Sequence, residues 1–193
     1  MQTHRHSSDS AEGPASDLGP LAWVFEELRK SLESANKALK RFSNDTAAAR
    51  GSELSAVDPA PLRMARAQLH QVVGALEMVG FQAPAAMVKA MEAAVQRFLS
   101  RPASCTEAAI AKVEKAGFAL VEYLEAVLLG KPVASVALFA QYRDVQELAG
   151  AQRIHPADLW EAPADAQRQQ PVAGAPAGVT PLQVGPAIRA QFD

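Results

Sequence analysis

From Leu21 onward, apolar residues recur at alternating spacings of four and three: Leu21, Phe25, Leu28, Leu32, Ala35, Leu39 and Phe42. This is the period of one helix face, and it predicts a first helix from near Pro20 to about Phe42. A looser stretch, SNDTAAARGSELSAVDPAP, comes next. Asp58 is then placed to cap a second helix, in which Leu62, Ala65, Leu69, Val72, Leu76 and Val79 repeat the three-four spacing until Gly80. A third helix is expected from around Pro84, carrying Met87, Met91, Val95 and Phe98. A fourth, capped by Ser104 or Thr106, carries Ile110, Val113, Leu120, Leu124 and Leu128 up to Gly130, and a shorter fifth comes after Pro132 and ends near Gly150. No alternating strand pattern competes. Joints this short place successive helices antiparallel, so the expected fold is an all-α, up-and-down antiparallel bundle of four to five helices. Leu28, Leu32, Leu69, Val72, Leu76, Leu120 and Leu124 lie at the centres of their stripes and should form its core.

Composition supports helices and sets the boundaries. Of the 193 residues 40 are Ala, and only 6% are aromatic, which favours helix over sheet. Six of the 13 Pro fall after residue 150, in sequence such as APADAQRQQPVAGAPAG, where large apolar side chains are too few to offset the entropy of ordering. Residues 162–182 therefore read as a linker, and the rest of 162–193 as the start of a possible further segment. Residues 1–18, rich in Ser, Asp and His, read as a disordered tail. The folded body is 19–150, with 151–161 a short ordered extension.

Charge and cysteine content narrow the function classes. Nineteen Lys and Arg against 21 Asp and Glu give a net charge of −2, which offers no excess of positive charge for a nucleic acid. The single Cys105 forms no internal disulfide, and with four scattered His it makes no ordinary zinc site. His4 and His6 are two ligands in a tail and define no metal centre. No run of about 18 apolar residues is present, and the start MQTHRHSSDSAEG has no apolar core of a secretory signal. The expectation is a cytoplasmic chain without a membrane span, metal or cofactor. Glycine-rich phosphate loops, GxSxG and HExxH are absent, so the chain is not expected to be an enzyme by itself.

One constellation stands out, on the second helix. At 100° per residue, His70 points well over 90° from the centre of the Leu62–Val79 stripe, on the same face as Arg66, Gly74 and Glu77. It should face solvent. Gly74, one turn on, is unusual because Gly inside a helix costs about 0.5–1 kcal/mol relative to Ala, and this chain uses Ala freely elsewhere. A bare backbone beside an exposed imidazole suits close approach by another protein. The alternative is that His70 is merely solvated and Gly74 lets the second helix pack tightly on a neighbour.

The run His70-Gln-Val-Val-Gly74-Ala-Leu-Glu-Met-Val-Gly80 resembles the signature of histidine phosphotransfer (Hpt) domains at Val72, Gly74, Ala75, Val79 and Gly80. In that family a Lys three residues after the His helps hold the phosphoryl group; here the position is Val73. LAWVFEELRKSLESANKALKRF together with LHQVVGALEMVGFQAPAAMVKAME is similar to the amino-terminal region of the chemotaxis-like hybrid histidine kinases of type IV pilus systems (PilL/ChpA) and to the related FimL scaffold. The likeness covers roughly residues 18–161, including HPADLWEAP. It implies an Hpt-like signalling or scaffold module in a two-component phosphorelay that controls type IV pili and twitching motility. His70 would be the phosphoacceptor candidate, and Arg66, Gly74 and Glu77 would dock a response-regulator receiver or a histidine kinase domain. From helix geometry, Arg66 would supply some of the missing positive charge. The chain would then be a segment of a longer kinase. The rival reading is a structural homodimer that uses the first helix as its contact.

Overall fold

A computed structural model describes residues 18–49 and 57–160. The expected tail 1–18 (all but Leu18), residue 161 of the extension, the linker 162–182 and the segment 183–193 lie outside the described residues, as do His4 and His6. Five α-helices occupy the described part: α1 (Gly19–Ala48), α2 (Ala60–Met78), α3 (Gln82–Ser100), α4 (Glu107–Leu128) and α5 (Phe139–Ala149). Short 3-10 turns cover Pro102–Ser104, Ser135–Leu138 and Pro156–Leu159, and no strand occurs among the described residues.

Helix boundaries reflect local chemistry more closely than the apolar stripes do. The burial of α1 stops at Phe42, as its spacing predicts, yet the helix runs on to Ala48. Alanine propensity and an Arg41–Asp45 pair at i,i+4 carry it past the core. Asp58 holds the start of α2 by accepting from the Ala60 N–H at 2.8 Å. α3 begins two residues before Pro84, which therefore sits in the first turn, where its missing N–H leaves no bond unmade. Thr106 caps α4, its Oγ1 accepting from the Ala109 N–H at 3.2 Å. Ser104 instead belongs to a 3-10 turn and donates to the Arg101 carbonyl. Pro132 does not start α5; a 3-10 turn intervenes, and the helix begins at Phe139. Gly80, Gly130 and Gly150 all have positive φ. In each case the next residue's N–H reaches back five residues, as from Phe81 to Leu76 O at 2.9 Å, which satisfies the last carbonyls of α2, α4 and α5.

The Gly80 turn folds α3 back along α2. Cross-links between the two run in opposite directions, Arg66 and His70 meeting Glu92 while Glu77 meets Lys89, which is an antiparallel register. α4 packs beside α1, tied by Lys40–Glu114 at 2.6 Å. α5 packs on both α3 and α4 and closes the far side. All seven core residues expected from the stripes are buried, together with Met87, Met91, Val95 and Phe98. The apolar stripe of α1 is consumed by this core: Leu21, Phe25, Leu28, Leu32, Leu39 and Phe42 are all buried. The segment after α5 also reaches the interior. Leu159 is fully buried, and its carbonyl accepts from the Ser135 hydroxyl at 2.6 Å.

Candidate functional site

The inner face of α2 is fixed by Leu62, Ala65, Leu69, Val72 and Leu76, all buried against α1 and α3. This locks the rotation of the helix about its axis, so His70 has no freedom to turn inward. Its side chain is 75% exposed, while Leu69 and Val72 are not exposed at all or only marginally. The imidazole is not unpartnered, however. Nδ1 lies 3.3 Å from Oε2 of Glu92 on α3, and the other oxygen of Glu92 accepts from Nε of Arg66, also at 3.3 Å. Glu92 is only 17% exposed, so its position is set by the α2–α3 packing.

The contact with Glu92 favours one tautomer of the ring. An ionised carboxylate only accepts hydrogen bonds, so the Nδ1–Glu92 bond requires the proton on Nδ1. In the neutral imidazole the lone pair is then on Nε2, which is the nitrogen directed away from Glu92. Both bonds to Glu92 are long for charge-assisted ones, which leaves the ring adjustable. Around it lies a shallow cleft of about 220 Å3 lined by Arg63, Arg66, Ala67, His70, Glu92 and Leu99.

The other expected residues divide. Arg66 joins His70 through Glu92, so part of the positive charge expected of it is spent on that carboxylate. Glu77 turns towards Lys89 of α3 instead of towards His70. Among the described residues, nothing lies within 4 Å of the place a Cβ of Gly74 would occupy. Among these residues, therefore, Gly74 does not serve tight packing of α2 on a neighbouring helix; the bare backbone opens outward. Val73 is buried, and the cations lining the cleft beside the ring are Arg63 and Arg66. Arg63 was not singled out from the sequence, nor was Glu92. Glu92 was nonetheless legible once the tight turn was placed. His70 lies eleven residues before Phe81 and Glu92 eleven after it, and an antiparallel hairpin sets equidistant residues side by side.

Elsewhere among the described residues the ionisable groups do not converge on a centre. Burial pushes the Cys105 thiol up to about 11, which makes it a poor nucleophile at neutral pH. Burial, and after it the nearby Asp158 carboxylate, raises the Tyr142 hydroxyl above its ordinary value; that hydroxyl lies 3.4 Å from Asp158 Oδ2 and accepts from Gln146 Nε2 at 2.7 Å. Among the described residues no group of three or more His, Cys, Asp and Glu is placed to hold a metal, and no helix is long and apolar enough to cross a membrane. No family model, no curated protein and no solved structure matches the chain.

Proposed function

We propose that the chain is an Hpt-like signalling module whose α2 face receives a response-regulator receiver or a histidine kinase domain. The observation that supports it best is the pairing on α2 of an exposed, tautomer-oriented His70 with an open backbone notch at Gly74, one turn further on. In a transfer from an aspartyl phosphate, the Nε2 lone pair attacks phosphorus, the N–P bond forms, and the P–O bond to the partner's carboxylate breaks. The ring gains positive charge as it reacts. Glu92, on Nδ1–H, stabilises that charge and keeps the proton in place, while Arg63 and Arg66 border the space of the phosphoryl oxygens. The divalent cation and the acyl phosphate belong to the partner.

The buried Val73 means that the chain contributes less to holding the phosphoryl group than an Hpt domain with Lys there, so transfer is slow relative to docking. By resemblance, the pathway is a cytoplasmic chemosensory system controlling type IV pili and twitching motility, with kinase activity residing in other domains. The test uses phosphoramidate as a small donor, with intact mass and acid lability as the readout. His70→Gln should remove any acid-labile phosphate and leave receiver binding nearly intact, whereas Gly74→Arg should block receiver binding by filling the notch. Labelling unaffected by His70→Gln, or docking unaffected by Gly74→Arg, overturns the reading.

A further inference from the structure

α2 carries a second stripe on its outer side. Met64, Ala67, Gln71, Gly74 and Met78 alternate spacings of three and four like the a and d positions of a heptad. None of them is covered by the bundle in the way the inner stripe is. Met64 is 58% and Met78 83% exposed, Ala67 and Gln71 are exposed, and no described residue approaches the Cβ position of Gly74. The seam runs about 21 Å, at 1.5 Å per residue. Exposed methionines are adaptable contact residues, and the small residues between them let a second helix approach closely.

We propose that this seam joins two copies of the chain, with their α2 helices packed antiparallel about a two-fold axis near Gln71. A two-fold interface must be self-complementary, and the seam reads nearly the same in both directions: Met, Ala, Gln, Gly, Met. Reversal exchanges Met64 with Met78 and returns Gln71 to itself, with the small residues Ala67 and Gly74 four residues before and three residues after it. The polar Gln71 at the centre is the kind of residue that fixes register in a helix pair.

Charge selects the antiparallel arrangement. Arg63, His70 and Glu77 flank the seam seven residues apart along one edge. Antiparallel packing sets Arg63 against Glu77 of the partner subunit, twice over, and His70 opposite its own copy. Parallel packing would set this edge against Gln68 and Ala75 of the partner subunit, which offer no opposite charge. The carboxylate of Glu77 already meets Lys89, but an exposed pair of this kind is weak and leaves the group available to a second cation. The apolar stripe of α1 is inside the bundle.

A seam this short falls at the small end of interface sizes, so the association is reversible. It covers Gly74 and therefore competes with any partner that docks there. The dimer does not depend on phosphotransfer, and its test contains no phosphoryl step. The full chain is followed by sedimentation velocity up to about 1 mM, where a reversible monomer–dimer equilibrium is expected. Arg63→Glu and Glu77→Arg should each weaken the dimer about tenfold. The double variant should restore it, and the two single variants should associate when mixed. Gly74→Arg should abolish it, with circular dichroism showing that the helices persist. A chain that stays monomeric throughout, a dimer indifferent to Gly74→Arg, or a double variant no better than the singles overturns the proposal.

Discussion

Two glycine-to-alanine substitutions should move stability in opposite directions, and the difference comes from where each glycine sits. Gly74 lies inside α2 with helical backbone and, among the described residues, nothing within 4 Å of the added methyl. The methyl neither clashes nor gains a buried contact. What remains is helix propensity, about 0.5–1 kcal/mol in favour of Ala, much of it from the smaller entropy of the unfolded chain. For a chain of this size that raises Tm by roughly 1–4 °C. Gly150, by contrast, has φ of +88°, and a Cβ there would overlap the Arg97 guanidinium, which also donates to the Leu148 carbonyl. Left-handed backbone alone costs a residue with a side chain about 1–2 kcal/mol, and displacing Arg97 adds to it. Urea unfolding followed by far-UV circular dichroism reads both as changes in midpoint at constant slope. A Gly74→Ala variant less stable than the wild type would refute the account of α2, because it would mean that the outer face is packed against something within the chain. A gain in stability accompanied by weaker partner binding would show what the glycine is kept for.

Three further outcomes are expected. Leu120→Ala empties a fully buried site on α4 and should cost about 3–5 kcal/mol, measured by the same unfolding; a cost near that of a surface change would place α4 outside the cooperative core. Because burial holds the Cys105 thiol neutral up to about 11, against an ordinary 9.0, the folded state keeps a proton that the unfolded state releases. Its contribution is complete below pH 9, falls as pH rises towards 11, and should vanish in Cys105→Ala; thiol labelling at neutral pH should likewise be slow until the chain unfolds. Glu92→Gln should relax the preference for the proton on Nδ1 of His70, seen in the ring nitrogen shifts by NMR, and should slow labelling by phosphoramidate; unchanged shifts would mean that the 3.3 Å contact does not orient the ring.

Much of the fold was legible along the chain because a helical bundle is written in local terms. The three-four spacing around Leu69 and Val72 fixes which side of α2 is buried, and that alone turns His70 outward. Gly80, Gly130 and Gly150 mark the helix ends because the left-handed residue at each closing turn suits glycine. The ends that spacing misplaces, beyond Phe42 and before Phe139, are those where propensity or a 3-10 turn acts without an apolar partner to reveal it. Tertiary structure decided the rest. Periodicity cannot say that α5 packs against both α3 and α4, since neighbours in a bundle depend on loop geometry and side-chain volume. The sequence of α2 alone does not disclose Glu92, twenty-two residues from His70; it becomes legible only when the Gly80 turn is placed, because the hydrogen bond that orients the ring forms once the hairpin brings α3 alongside. Whether Gly74 faced a neighbouring helix or open space was equally undetermined by its position in α2. Only the arrangement of the surrounding helices could decide it, since a residue's sequence fixes its angle on its own helix but not what lies across from it.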